Sequence, residues 1–467
     1  MVITAETYTS VLAKVYPKGA LKSIKYYNRE IILRFMQFIP EIEQQSPEAQ
    51  ARYQAARLQE LLSYLKANAP YYRKVFASCN IDISSVKTVA DLVKIPRTSK
   101  KDLQENNNDF LCIPRENIRE YTATSGTLGD PVTIALSDKD LERLAYNEFL
   151  SFSCMEEGNT YQLMLTLDRQ FMAGMAYYSG LRKAGKAVIR TGPGIPAIQW
   201  DTIQRLQTDT LVAVPSFLLK MIDYARDKNI IPDNTSVRSV LAIGESIRDM
   251  DLAPNILAQK IQQEWNIDLY GTYASTEMQT AFTECKAFSG GHHHPELLIV
   301  EILDDEGIPV KVGEAGEVTI TTLGVEAMPL LRYRTGDICK GYYEPCSCGR
   351  QTMRLGPVLG RKQQMLKLKG TTIFPAAIAD ILHSSDIVED YAIEAYTNDH
   401  GQDGLVLHIH TELPQDTSSN ILRPLLQHRL RVLPEIRYHT FQSMQQLHFH
   451  GGNRKPLRFI DNRNAQI

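Results

Sequence analysis

Tryptophan occurs only 2 times in 467 residues, and cysteine only 7 times, which is too sparse for a disulfide scaffold. Neither sign of charge dominates: 51 Lys and Arg against 54 Asp and Glu leave a net charge of −3. That excludes a global basic field for nucleic acid or an anionic membrane, so an anionic ligand needs a local positive site. No apolar run reaches the roughly 18 residues of a membrane-spanning helix. The opening MVITAETYTSVLAKVYPKG has no basic stretch followed by an apolar core, so no signal peptide and a cytoplasmic location are expected. Internal repeats and low-complexity tracts are also missing.

What is present is ordinary globular usage, 43% hydrophobic and 22% charged. At roughly 150 residues per domain the length suggests two to four domains. Leu58, Leu61, Leu62 and Leu65 recur at helical spacing within 51–77, with a break at Pro70. Weaker helical patterning continues through 93–108. From 161 to 269 short apolar runs alternate with amphipathic ones. Strands are expected at 161–167, 187–190, 211–214, 237–243 and from 268, with helices at 171–184, 216–225 and 249–264 between them. That alternation predicts an α/β sheet. After about residue 295 the helices stop, and strands at 297–302 and 317–322 suggest a smaller β-rich subdomain. The last hundred residues read as a compact α+β unit, with helices at 374–382 and 420–431 and extended segments at 388–396, 405–410, 437–442 and 447–450.

The most informative local string is Thr122-Ala-Thr-Ser-Gly-Thr-Leu-Gly-Asp-Pro131. Thr124, Ser125 and Thr127 offer hydroxyls, while Gly126 and Gly129 permit close backbone approach, so the loop can donate to anionic oxygens. It lacks the terminal Gly-Lys followed by Ser or Thr of the common nucleotide-hydrolase loop.

The string resembles the phosphate loop of the adenylate-forming superfamily, and other blocks match in order. Tyr273-Ala274-Ser275-Thr276-Glu277 resembles the segment that binds nucleotide and magnesium. Tyr333-Arg334-Thr335-Gly336-Asp337 resembles the ribose-binding block, and Gly360-Arg361 the start of the interdomain hinge. Arg454-Lys455-Pro456-Leu457-Arg458-Phe459-Ile460-Asp461 is similar to the ending of the phenylacetate–CoA ligase branch. Met328 to Thr335, Leu65 to Phe76 and the Glu284-Cys285 pair also resemble that branch. The resemblance runs from about residue 55 to 463.

It implies an α/β fold: a large N-terminal adenylate-forming domain over 1–360, with a helical start over 1–110 and a β-rich subdomain over about 295–360, and a small mobile α+β lid over 361–467. It implies ATP-dependent activation of a carboxylic acid to acyl-AMP, then transfer to CoA. Thr124 to Gly129 would grip phosphates, Glu277 hold magnesium, Asp337 take the ribose hydroxyls, and Tyr273 stack on adenine. Gly244-Glu245-Ser246, at the end of the strand 237–243, matches the segment lining the adenine side. Arg361 would hold ribose or phosphate after closure, and Lys455 would carry the first half-reaction. The branch suggests an aryl or arylalkyl acid, with pocket candidates Phe171, Met175, Tyr177, Tyr178, Pro215, Phe217 and Tyr273. Some relatives carry a similar Cys, His and Cys-x-Cys arrangement, which implies a structural zinc on Cys285, His292, Cys346 and Cys348. Cys339 and His293 are the rival ligands. The branch also implies a homodimer.

Four positions depart from the superfamily pattern. Asp130 replaces the usual Lys of the phosphate loop, Ala274 a common Gly, Gln363 the usual Asp or Lys of the hinge, and Arg454 the Gly before Lys455. Two other readings compete. The acyl group could go to a carrier-protein thiol or an amine, or the chain could be a catalytically silent nucleotide-binding protein. CoA-dependent release of AMP separates the first from CoA ligation, and ATP binding without carboxylate-dependent pyrophosphate release marks the second.

Overall fold

The computed structural model describes residues 38–124, 131–156, 158–368, 371–398, 402–430, 433–449 and 456–463. The chain divides into Met1–Ile42 and Glu43–Ile467, and the elements that build the site belong to the second unit. The part of the expected helical start before residue 38 lies outside the described residues.

Helices α1 (Pro47–Asn68) and α2 (Pro70–Ser78) divide at Pro70, which sits in the first turn of α2, where its missing N–H costs nothing. Leu58, Leu61, Leu62 and Leu65 are all buried, as their spacing predicts. The weak pattern that follows resolves into short pieces, with a six-residue helix α3 (Lys100–Glu105) between 3-10 turns.

A hairpin of β1 (Glu120–Ala123) and β2 (Thr133–Leu136) brackets the Gly-rich loop. A parallel core then builds from β3 (Thr160–Leu163), β4 (Ala187–Arg190), β5 (Thr210–Ala213), β6 (Ser239–Ala242) and β7 (Asp268–Ser275), in the order β4-β3-β5-β6-β7. Four helices pack around it: α4 (Asp138–Cys154), α5 (Met172–Lys183), α6 (Pro196–Leu206) and α7 (Pro215–Asp227). A further helix, α8 (Ile256–Glu264), starts seven residues later than the periodicity suggests. Asp249 and Ala253 pair in a turn ahead of Pro254, and Asn255 caps the helix by accepting from Ala258 N at 3.0 Å.

The β-rich stretch continues the same sheet. Antiparallel strands β8 (Thr280–Glu284), β9 (Gly291–His292), β10 (Leu298–Leu303), β11 (Ala315–Thr322), β12 (Tyr333–Tyr342) and β13 (Arg354–Leu355) extend from β7 in the order β8-β9-β13-β12-β11-β10. The short β14 (Gly360–Arg361) lies beside β12, with Arg361 opposite Asp337.

The smaller α+β domain has its own core, from Leu366 to Leu430. A two-stranded pair, β15 (Leu366–Leu368) and β16 (Thr371–Ile373), precedes a four-stranded sheet. That sheet contains β17 (Asp390–Thr397), β18 (Asp403–His410), β19 (Glu435–His439) and β20 (Phe459–Asn462), in the order β19-β18-β17-β20. It packs with α9 (Pro375–His383), α10 (Gln415–Leu430) and α11 (Phe441–His448). The expected extended segment at 447–450 is corrected by α11: Thr440 caps it by accepting from Ser443 N at 3.2 Å, and Met444 is buried beneath it. Among the described residues no helix is long and apolar enough to cross a membrane.

Candidate active site and metal centre

The carboxyl ends of the parallel strands open into a cleft of about 1920 Å³ that is also lined by the small domain. Ligands of open α/β sheets bind at such ends, because the loops there diverge. Thr124 leaves the β1–β2 hairpin at the rim, its hydroxyl accepting from Val132 N at 2.9 Å. Ser125, Gly126, Thr127, Gly129 and Asp130 lie outside the described residues, as do Arg454 and Lys455. Pro456, next to Lys455, lines the cleft.

Asp337 sits on β12 directly after Gly336, whose φ of 78° needs a residue without a Cβ. Its carboxylate accepts from the Tyr273 hydroxyl at 2.7 Å and from Arg361 Nε at 3.2 Å. Burial, with the Asp337 charge second, holds the Tyr273 hydroxyl well above its ordinary value, so it donates rather than ionises. Glu277 lines the cleft just past β7 and accepts from the Tyr333 hydroxyl at 3.3 Å. Ala274, Ser275 and Thr276 join it in the wall.

Gly244 and Glu245 also line the cleft. Gly244 has a φ of 76°, and the Glu245 carboxylate takes both the N–H and the hydroxyl of Ser216 at 2.8 Å, so it caps α7. Ser246 is not in the wall; its hydroxyl holds a local turn by donating to Arg248 O at 3.0 Å. Arg248 in turn grips Glu284 with two buried contacts at 3.0 Å, and Glu284 accepts from Gly271 N at 2.8 Å. This brace ties the loop after β6 to β7 and β8. Sequence reasoning missed it, because its members are remote in the chain.

Of the acyl-pocket candidates, Phe171 and Tyr177 line the cleft. The other five do not, and helix or strand geometry explains four of them. Met172, Ala173, Ala176 and Tyr177 share the cleft face of α5, which turns Met175 toward solvent and places Tyr178 between Arg182 and Arg190, at 5.7 and 5.2 Å from its ring. On α7 the cleft face carries Ser216, Leu219, Lys220 and Asp223, so Phe217 packs into the core beyond it. Strand alternation gives Thr272 and Ala274 to the cleft, while the Tyr273 ring faces Phe282 at 5.9 Å. Pro215 is buried in the first turn of α7.

Glu148 and Gln279, neither singled out by sequence, also line the cleft. Burial pushes the Glu148 carboxyl up to about 8, outweighing the Ser151 hydroxyl and Asn147 amide beside it. The folded chain therefore binds a proton there that the unfolded chain releases above about 4.5, and stability falls as pH rises from about 4.5 to 8. Glu148→Gln removes this dependence. In urea unfolding at pH 5 and pH 8 the variant is expected to gain on the wild type by a few kcal/mol between the two pH values.

The thiols of Cys285, Cys346 and Cys348 and the His292 imidazole form a separate cluster, their ligand atoms all within 4.8 Å of one another. Cys285 Sγ is 3.5 Å from Cys346 Sγ, and Cys348 Sγ is 3.4 Å from His292 Nε2. A tetrahedral site with metal–sulfur bonds of about 2.3 Å and metal–nitrogen bonds of about 2.0 Å needs ligand separations of this size. His292 Nδ1 meets the Thr352 hydroxyl at 3.1 Å, which fixes the ring with Nε2 toward the thiols. The rivals are engaged elsewhere: His293 Nε2 lies 2.5 Å from Leu298 O, and Cys339 is buried in the apolar core.

The family model described as AMP-binding enzyme matches residues 49–327. This chain belongs to the AMP-binding enzyme family. Within it, the phenylacetate-coenzyme A ligase of Thermus thermophilus is 28% identical over 367 residues, covering 77% of this chain and 81% of that protein. The phenylacetate-coenzyme A ligase of Escherichia coli is 25% identical over 372 residues, covering 77% and 82%. A crystal structure of 2-hydroxyisobutyryl-CoA ligase in the postadenylation state shares the fold, with a TM-score of 0.78 at 20% identity, covering 91% of this chain and 92% of that one.

Proposed function

We propose that the cleft brings ATP, magnesium and an aryl or arylalkyl carboxylate together, with Lys455 delivered by the small domain. The reaction is ATP-dependent activation of a carboxylic acid to acyl-AMP, followed by thioester formation with CoA. The convergence of Thr124, Glu277, Asp337 and Arg361 on one cleft carries the residue assignment.

Asp337 accepts the ribose hydroxyls through the lone pairs that Tyr273 and Arg361 leave. Glu277 would hold magnesium through its hard carboxylate oxygens, and the cation would supply positive charge to offset the phosphates. Thr124, with the loop it begins, holds the outgoing phosphates. A carboxylate oxygen of the acid bonds to the α-phosphorus as the bond to pyrophosphate breaks. Lys455 offsets the charge shared between those two anions. In the second step the CoA thiol adds to the acyl carbonyl and AMP leaves, so no protein nucleophile is needed. In this reading the domain boundary falls near Gly360-Arg361, about which the lid turns, and the stretch 367–370 lines the CoA tunnel. Cys285, His292, Cys346 and Cys348 hold a structural zinc, and the chain pairs as a homodimer.

The test is pyrophosphate release from ATP and magnesium against phenylacetate, benzoate, indoleacetate and aliphatic acids, with and without CoA. Acid-dependent release with an acyl-CoA product supports the reading; release with no CoA-dependent AMP turns it toward another acceptor. Asp337→Asn is expected to raise the KM for ATP by roughly 10- to 100-fold, the range of a charged hydrogen bond, measured in the same assay.

A further inference from the structure

Two buried polar side chains in the cleft wall have hydrogen-bonding atoms left unpaired among the described residues. Glu148, on α4, is 5% exposed; its Oε1 accepts from Asn147 Nδ2 at 3.0 Å, and beyond the neighbouring Ser151 hydroxyl its Oε2 meets no donor among the described residues. Gln279 is 1% exposed, and among the described residues neither its amide oxygen nor its amide nitrogen has a partner. The elements carrying them are joined directly, since Asn147 Oδ1 accepts from Ala281 N at 3.1 Å.

Gln279 is held in this position from outside the cleft. Its φ is 50°, in the left-handed region, and its carbonyl is fixed by Arg143 Nη1 at 2.7 Å. Arg143 is itself buried and also binds the carbonyls of Leu323 and Leu297 at 2.8 and 2.6 Å. Left-handed backbone is unfavourable for a residue with a side chain, and each unpaired buried polar group costs about 1–3 kcal/mol. The fold thus places an amide-bearing and a carboxyl-bearing residue in the wall of a cavity whose neighbouring lining, from Leu144, Met172 and Ala176, is apolar.

We infer that Glu148 and Gln279 form a polar recognition point in the acyl pocket, and that the cognate acid carries a neutral hydrogen-bonding substituent, a ring hydroxyl or ring amino group, remote from its carboxylate. The inference rests on the reading of the cleft as the acyl-activating site. Because burial keeps the Glu148 carboxyl protonated near neutral pH, it donates as well as accepts. Gln279 supplies the complementary donor and acceptor. An acid lacking the substituent leaves these groups unpaired, and a site of this kind rejects it more strongly than a purely apolar pocket rejects an added group.

The experiment uses the full chain and matched pairs of acids: phenylacetate with 4-hydroxyphenylacetate, and benzoate with 4-hydroxybenzoate and 4-aminobenzoate. For each, kcat/KM for pyrophosphate release and Kd by calorimetry are measured in the wild type, Glu148→Met and Glu148→Gln. The wild type is expected to favour at least one substituted acid over its parent by about tenfold or more, Met to reduce that ratio below about threefold, and Gln, which can still hydrogen-bond, to keep most of it. A wild-type ratio near one, or a ratio that Met leaves unmoved, overturns the inference. If no acid supports pyrophosphate release, the activation reading fails on its own. The calorimetric ratio then decides the pocket, and equal affinity within each pair, or no measurable binding of any acid, overturns it.

Discussion

Lys455→Ala is expected to lower acid-dependent pyrophosphate release by about 100- to 1,000-fold, the range for removing one preorganised charge donor from a transition state. The acid and the α-phosphate are both anions, so their approach is opposed until a cation sits between them. No other residue of the terminal block has the same proposed task, and Pro456 beside it already lines the cleft. The variant should still convert chemically prepared acyl-AMP and CoA to acyl-CoA at near wild-type rate, because thiolysis of a mixed anhydride needs no such bridge. Equal loss in both half-reactions would instead mark Lys455 as a residue of general structure. Measuring the two steps separately, by pyrophosphate and by thioester formation, resolves the cases.

The second large effect concerns the thiol cluster. Cys346→Ser is expected to remove stoichiometric zinc, read by mass spectrometry of the purified chain, and to lower stability by several kcal/mol, since metal affinity at a closed site adds to folding free energy. The cluster joins β9 to the turn at 346–349, and Arg350 next to it forms a partly buried ion pair with Glu43 at 2.6 Å. With the metal gone, the Cys285 and Cys348 thiols and the His292 imidazole remain packed with no cation to satisfy them. A chain that purifies without metal, and whose thermal midpoint is unchanged by the substitution, would exclude the zinc assignment.

The parts of the molecule readable in advance are those in which the chemistry is contiguous. The strand–helix alternation from 161 to 269 follows local periodicity, and the structure keeps each strand to within a few residues. Glu277, Asp337 and Arg361 sit in short strings that resemble the family's motifs, and the structure brings all three to one cleft. What escaped reading depends on distant partners. Helix α4 shows no clean apolar stripe, because Asp140, Arg143, Asn147 and Glu148 are all buried on it. Asp140 caps the chain at Glu326 and Ala327, at 2.7 and 2.9 Å, and Arg143 holds three remote carbonyls. No window of sequence around residue 140 contains those partners. The acyl pocket was half legible for a related reason: an aromatic-rich stretch identifies α5, but only the helix phase decides that Tyr177 enters the cleft and Tyr178 does not.

The Cys285–His292 half of the thiol cluster precedes the Cys346–Cys348 half by 346 − 292 = 54 residues. At ribosomal speeds of about 5–20 residues per second, the first half waits roughly 3–11 s for the second. Strand β9 waits with it, because its outer neighbour β13 begins only at Arg354. Yet Thr283 of β8 stands between His292 on one side and Thr272 of the nucleotide-side strand on the other. The middle of the sheet is therefore completed late in synthesis, so a nascent chain stalled before residue 346 holds Glu277 and Asp337 but lacks both Arg361, which pairs with Asp337, and the thiols that complete the cluster behind them.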